Sequence, residues 1–222
     1  MSDAIGQVLS LAVAAGLSPI PIVGVVLMLG SPRGRSNGPA FVAGWVVSIM
    51  ALGGVVLAVA GGAGAGDSVH GPAYVKLALG VLLLFIALRQ WRGRPRAGER
   101  PEPPKWMAAI DSFTAARSAA LAFALAVVNP KNLVLVVGAA VAISQTGAAT
   151  GDQVVALAVF TLVATIGVGT PVALYFAMGE RSKDVLADLE GWMARNNGTI
   201  MAVICLLIGA KLIGDAIGGL GG

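Results

Sequence analysis

The chain has 222 residues, 57% of them hydrophobic and only 12% charged, with a formal net charge of +4 and a mean hydropathy of +0.86. Soluble domains carry about 25% charged residues, so this composition excludes an ordinary soluble enzyme and points to a bilayer. A single cysteine, Cys205, excludes an intrachain disulfide or redox pair, and the single histidine, His70, has no neighbouring metal ligands in sequence.

Six apolar stretches, at 5–29, 39–60, 74–91, 118–143, 154–178 and 199–217, are each long enough to cross a hydrocarbon core of about 30 Å. The first lacks the basic n-region of a signal peptide and reads as a span. It is interrupted by Gly16-Leu17-Ser18-Pro19-Ile20-Pro21-Ile22. In the second, Ala40, Gly44 and Ser48 recur every four residues, a small-residue stripe that favours close helix packing. Between the third and fourth spans, residues 93–116 are rich in proline and charge and read as an extended linker. Its end places Trp106, Met107, Ile110 and Phe113 on one face of a short interfacial helix, with Trp106 at headgroup depth. Loops are expected at 30–38, 61–73, 144–153 and 179–198.

The fourth span carries the costliest feature. From Ser118 to Ile143 its one ionisable residue is Lys131, within Asn129-Pro130-Lys131-Asn132. A charge near the centre of a span costs about 3 kcal/mol on insertion scales. Proline removes a donor and breaks the helix. Span five contains Gly167-Val168-Gly169-Thr170-Pro171, with Thr161 and Thr165 before it. These hydroxyls can satisfy carbonyls freed by a kink, or touch a substrate. No carboxylate lies at the centre of any span, which disfavours a metal-ion transporter and a carboxylate proton relay.

Twelve of the 15 basic residues fall in the stretches at 30–38, 89–117 and 179–198, and none in 61–73 or 144–153. The positive-inside rule then puts the basic loops in the cytoplasm and both termini outside. Lys76 and Lys211 sit near the outer ends of their spans and can snorkel. Two three-span halves, 1–92 and 117–222, flank the cytoplasmic segment 93–116. Three spans each give the halves opposite orientation. Paired breaks in two such halves mark a central site in transporters. The expected fold is therefore an all-α integral membrane protein of six helices, in two inverted three-helix repeats with helices one and four broken.

A broken helix restarts with unpaired N–H groups and about half a positive charge. Breaks at Pro19 and Pro130, with Lys131 between Asn129 and Asn132 and with Ser18 opposite, predict an anion site. The competing expectation is that Lys131 pairs with the freed carbonyls and stabilises the break. Arg117, at the cytoplasmic entrance of span four, is placed to meet a headgroup. The rest of the basic stretch sets topology and touches anionic lipid. No Gly-rich phosphate loop and no nucleophile-base set is evident, so neither an enzyme nor a nucleic-acid binder is expected.

Asn129-Pro130-Lys131 in the fourth of six spans resembles the LysE superfamily of exporters. Pro104-Lys105-Trp106, Ile110-Asp111, Asn129-Pro130-Lys131-Asn132-Leu133, Leu17-Ser18-Pro19-Ile20-Pro21 and Gly30-Ser31-Pro32-Arg33-Gly34 together resemble its GAP branch of glycolipid- and sulfolipid-addressing proteins. The resemblance implies an actinobacterial plasma-membrane protein that moves an anionic envelope glycolipid outward. The expected substrate-binding residues are Ser18, Pro19, Pro21, Asp111, Arg117, Asn129, Pro130, Lys131, Asn132, Thr165 and Thr170, with no metal and no cofactor. Export of amino acids or other small solutes, and a scaffold for cytoplasmic lipid-synthesis enzymes, are the alternatives. A homo-oligomer is compatible with each. The lone Cys205 departs from thiol-transferring relatives, and the acid-free spans depart from cation exporters.

Overall fold

The computed structural model describes residues 2–62, 71–94 and 105–220. Among these every regular element is helical. They are α1 (Ser2–Gly16), α2 (Pro19–Gly30), α3 (Gly34–Gly62), α4 (Gly71–Arg92), α5 (Ala115–Val127), α6 (Pro130–Ser144), α7 (Thr150–Met178) and α8 (Ser182–Leu220). Three apolar helical stretches are long enough to cross a membrane, or up to five if each bent pair is one span.

Both expected breaks are present. α1 and α2 bend by 46° at Leu17 and Ser18, and α5 and α6 by 71° at Val128 and Asn129. The cause is local. Ser18 and Asn129 each precede a proline, which disfavours helical backbone, and both are extended (φ −108°, ψ 99° and φ −69°, ψ 114°). Each proline then occupies the first helical position, where its missing N–H costs nothing.

Three expected boundaries are corrected. The loop at 30–38 shrinks to Ser31–Arg33, because α3 already starts at Gly34 and holds Arg35 in its first turn. The loop at 179–198 is a three-residue 3-10 turn, Gly179–Arg181, after which α8 runs without interruption. Gly179 supplies the positive φ (56°) for that turn. With 39 residues α8 is about 58 Å long, well beyond a hydrocarbon core, so its first turns stay helical outside the apolar zone. The interfacial helix is a 3-10 segment, Lys105–Ser112, with Ile110 buried against the bundle. The Trp106 and Met107 side chains, and the linker residues 95–104, lie outside the described residues.

Two helix pairs, α4 with α8 and α3 with α7, pack antiparallel. Ala73, Gly80 and Arg94 of the α4 region meet Gly219, Gly209 and Gly198 of α8 in reverse order. On α3, Gly38, Trp45, Met50 and Gly53 meet Val172, Ala164, Thr161 and Leu157 of α7, again reversed. Trp45, Phe41 and Phe160 are fully buried between them. The outer faces are apolar: Val55, Val59, Phe85, Leu162, Ile166 and Leu207 are all more than 60% exposed. So large an exposed apolar surface is what a lipid-facing helix presents.

Glycine sets how close two helices come. A Cβ at Gly167 would collide with the Gly16 carbonyl oxygen at the end of α1, and one at Gly44 with the Ala119 backbone of α5. The expected small-residue stripe on α3 thus has a partner, α5. We expect Gly167→Ala and Gly44→Ala each to cost about 1–3 kcal/mol by overpacking. The nearby Gly169→Ala, whose Cβ meets only a Thr165 methyl in ordinary contact, should be near neutral. Thermal melts of the purified protein in detergent check this. Equal melting of the Gly167 and Gly169 variants would show that the close approach carries no weight.

Candidate functional site

The break cluster is assembled by α1 lying antiparallel to α6. Leu11 sits against Gly138, while Ala14 and Leu17 reach Lys131 near the start of α6. Lys131 has no solvent exposure. Its ammonium donates to the carbonyl oxygens of Ala14 (2.9 Å) and Leu17 (3.3 Å) and to Ser18 Oγ (2.7 Å). All three protons are therefore used. The acceptors include the last carbonyls of α1, the negative end of that helix, which α1 cannot satisfy itself.

The other side chains close the network. Ser18 Oγ accepts from Lys131, and its one proton is within reach of the Ala15 carbonyl (2.7 Å) and of Asn132 Oδ1 (2.8 Å). Asn132 Nδ2 donates to the Leu125 carbonyl near the end of α5 (3.3 Å). Two neighbouring residues of α6 thus tie off the C-termini of both broken helices. Asn129 caps α6, its Oδ1 accepting from the Lys131 backbone N–H (3.1 Å).

The expected pair of positive helix ends is weaker than the sequence suggested. Pro19 and Pro21 remove two of the N–H groups that the first turn of α2 would offer an anion. At α6, Pro130 has none and the Lys131 N–H is taken by Asn129. What the breaks hold instead is the Lys131 amino group, contacted by three neutral oxygens.

The remaining expected residues stand elsewhere. Arg117 is exposed in the first turn of α5, with its N–H bonded to the Thr114 cap. Asp111 is exposed on the 3-10 segment. On α7, Thr161, Thr165 and Thr170 donate to the carbonyls of Leu157, Thr161 and Ile166, one turn back. Thr165 lies in the stretch of α7 against Gly16, while Thr170 is exposed.

Two clefts flank the cluster, neither foreseen. The larger, about 890 Å³, lies at the arginine-bearing end of the bundle, between α2, the 3-10 segment and the junction of α7 and α8. Val26, Leu29 and Leu186 line it along with Arg35, Asp111, Glu180, Lys183 and Glu190. Lys183 pairs with Glu180, which raises its pKa, and burial raises that of the Glu190 carboxyl. The smaller, about 310 Å³, lies at the opposite end and contains Lys76, Lys211 and Asp215. The expectation that Lys131 pairs with freed carbonyls is met, although which carbonyls, those of Ala14 and Leu17, left no signal in sequence. The i, i+4 spacing of Lys211 and Asp215 was visible, but nothing linked it to Lys76.

Comparison with known proteins gives one match. The family model described as SfLAP, Sap, sulfolipid-1-addressing protein, matches residues 8–218. The chain belongs to that family. No curated protein and no solved structure matches it.

Ser18 joins the Lys131 and Asn132 arms, so their effects should not add. We expect Ser18→Ala and Asn132→Ala each to cost about 1–3 kcal/mol by leaving buried polar partners unsatisfied. A double-mutant cycle should give a coupling of about 0.5–3 kcal/mol. Strict additivity would separate the two arms.

Proposed function

We propose that this member of the SfLAP family is a non-enzymatic translocator that carries an anionic envelope lipid across the plasma membrane. The observation that carries the reading is Lys131: a fully buried ammonium whose three partners are neutral oxygens. Carbonyl and hydroxyl dipoles hold the cation in place without cancelling its charge. A sulfate, phosphate or carboxylate is a stronger acceptor than any of the three. When α1 and α6 part, such a headgroup takes over the ammonium, while the acyl chains stay along the apolar outer faces. The sulfolipid in the family's description fits this chemistry.

Alternating access needs two halves that move against each other, and an inverted repeat supplies them. We count six spans: the two bent pairs, α3, α4, and α7 and α8 divided at Gly179. The helix contacts support the repeat. Exchanging α1–α4 for α5–α8 carries the α3–α5 contact onto α7–α1, α2–α3 onto α6–α7, and α4–α6 onto α8–α2. The α3–α7 and α4–α8 contacts return to themselves. Arg33, Arg35, Arg92, Arg94, Arg117 and Arg181 then face the cytoplasm under the positive-inside rule, with both termini outside. The large cleft opens at that cytoplasmic end, where a newly made lipid would enter beside Asp111.

The test is Lys131→Ala in cells and in vesicles. Surface display of the lipid should be lost while the protein still inserts and accumulates. Purified wild-type protein should move a fluorescent anionic lipid between leaflets, and the variant should not. Normal display in the variant would remove Lys131 from the mechanism. Absence of wild-type flipping under any imposed gradient would favour a scaffolding role.

A further inference from the structure

The cleft at the end remote from the arginines is walled by four helices. Leu11 comes from α1, Lys76 from α4, Ala142 from α6, and Leu212 with Lys211 and Asp215 from α8. Lysines near the ends of apolar helices ordinarily spread outward to water. Here two lysines from different helices border one recess of about 310 Å³. Lys211 donates to Asp215 Oδ2 at 2.6 Å, one turn along α8, and both side chains are about 40% exposed. Lys76 has no acidic partner within bonding distance among the described residues. The cleft therefore carries two positive charges and one negative.

We propose that the Lys76–Lys211 cleft is a second binding site, specific for a sulfate or phosphate group, at the end of the bundle opposite the arginines. Its volume exceeds that of a tetrahedral oxyanion, leaving room for the attached part of a headgroup. Lys76 and Lys211 each contribute a donor to such a group from a separate wall. Asp215 orients Lys211 and reduces the attraction to one net charge, which favours release over tight retention. The floor is Leu11, one helical turn from Ala14, whose carbonyl holds Lys131. Ala142 lies eleven residues beyond Lys131 on α6, about 16 Å along the axis. The cleft thus stands beyond the central network, separated from it by apolar side chains of α1 and α6. Binding here does not require that lipid pass Lys131, so the two sites are tested separately.

The experiment places the purified full-length chain in nanodiscs of equal phosphatidylglycerol and phosphatidylcholine and counts retained lipid by native mass spectrometry. The wild type should retain phosphatidylglycerol selectively. Lys76→Gln and Lys211→Gln should each reduce this about fivefold, the effect of about 1 kcal/mol per basic residue near an anionic lipid. Lys211→Arg should preserve binding, which guards against a folding defect, and Arg195→Gln at the opposite end should change nothing. Asp215→Asn should increase retention, because it removes the one charge that opposes the anion. Displacement by sodium sulfate would show that the oxyanion alone is recognised, and retention in its presence that the lipid glycerol is also held. Unchanged retention in both glutamine variants, or weaker retention in Asp215→Asn, overturns the assignment.

Discussion

The structure depends on how one ammonium group is held. Two helices stop inside an apolar layer, and each stop leaves carbonyls with no partner. In water those groups would be solvated. In hydrocarbon each costs several kcal/mol. Lys131 reaches across from the start of α6 to the end of α1, and Asn132 reaches back to α5. The charge and the breaks are thus two liabilities that offset each other. A lysine buried alone would be expelled, and a break without donors would not persist. Hydrogen bonds to a charged group contribute about 1.5–3 kcal/mol each, more than neutral ones. That margin is why a lysine, and not a second asparagine, suits the α1 side.

Close packing around the network follows from the same constraint. α7 must run directly over the end of α1 to shield the carbonyl of Gly16, and Gly167 permits that approach. α3 is drawn in beside α5 through Gly44, and Ser48 turns its hydroxyl back onto its own helix. The threonines of α7 do the same. These hydroxyls therefore satisfy themselves locally. Among the described residues, the one fully buried basic side chain lies where the two broken helices meet.

Much of this was legible in the sequence, for identifiable reasons. Proline and the residue before it dictate backbone locally, so Ser18-Pro19 and Asn129-Pro130 located both breaks. The meeting of Ser18 with Asn132 could be anticipated only through the analogy between the halves, since the two lie far apart in the chain. That Lys131 would meet carbonyls freed by a break was legible; that they would be those of Ala14 and Leu17 was not, because any residue could supply a backbone oxygen. The 179–198 segment was misread for a different reason. Its charges, Asn196, Asn197 and Gly198 resemble a loop in composition, yet a helix begun at Ser182 extends through them, leaving Arg195 exposed and packing Gly198 against Arg94. Composition reports the solvent of a segment, and here solvent and backbone conformation diverge. The clefts were invisible because each draws its residues from several helices.

The two clefts and the buried ammonium acquire meaning from their order along the bundle. At the arginine-bearing end the recess is wide, and its carboxylates Asp111, Glu180 and Glu190 outnumber Arg35 and Lys183. Such a wall does not bind an anion tightly; in the proposed translocation it would admit a headgroup and leave it free to move on. At the centre the charge is positive and undiluted by any acid, but closed. At the far end it is positive and partly cancelled by Asp215. Attraction for an anion is thus strongest where the structure is shut and weaker at both openings. A fixed site of that strength with permanent access would trap its ligand. In the proposed mechanism, closing it with neutral oxygens, which an anion would displace and which would return when it leaves, keeps binding reversible. The carbonyls of α1 are therefore the competitor that sets how tightly Lys131 can hold anything else.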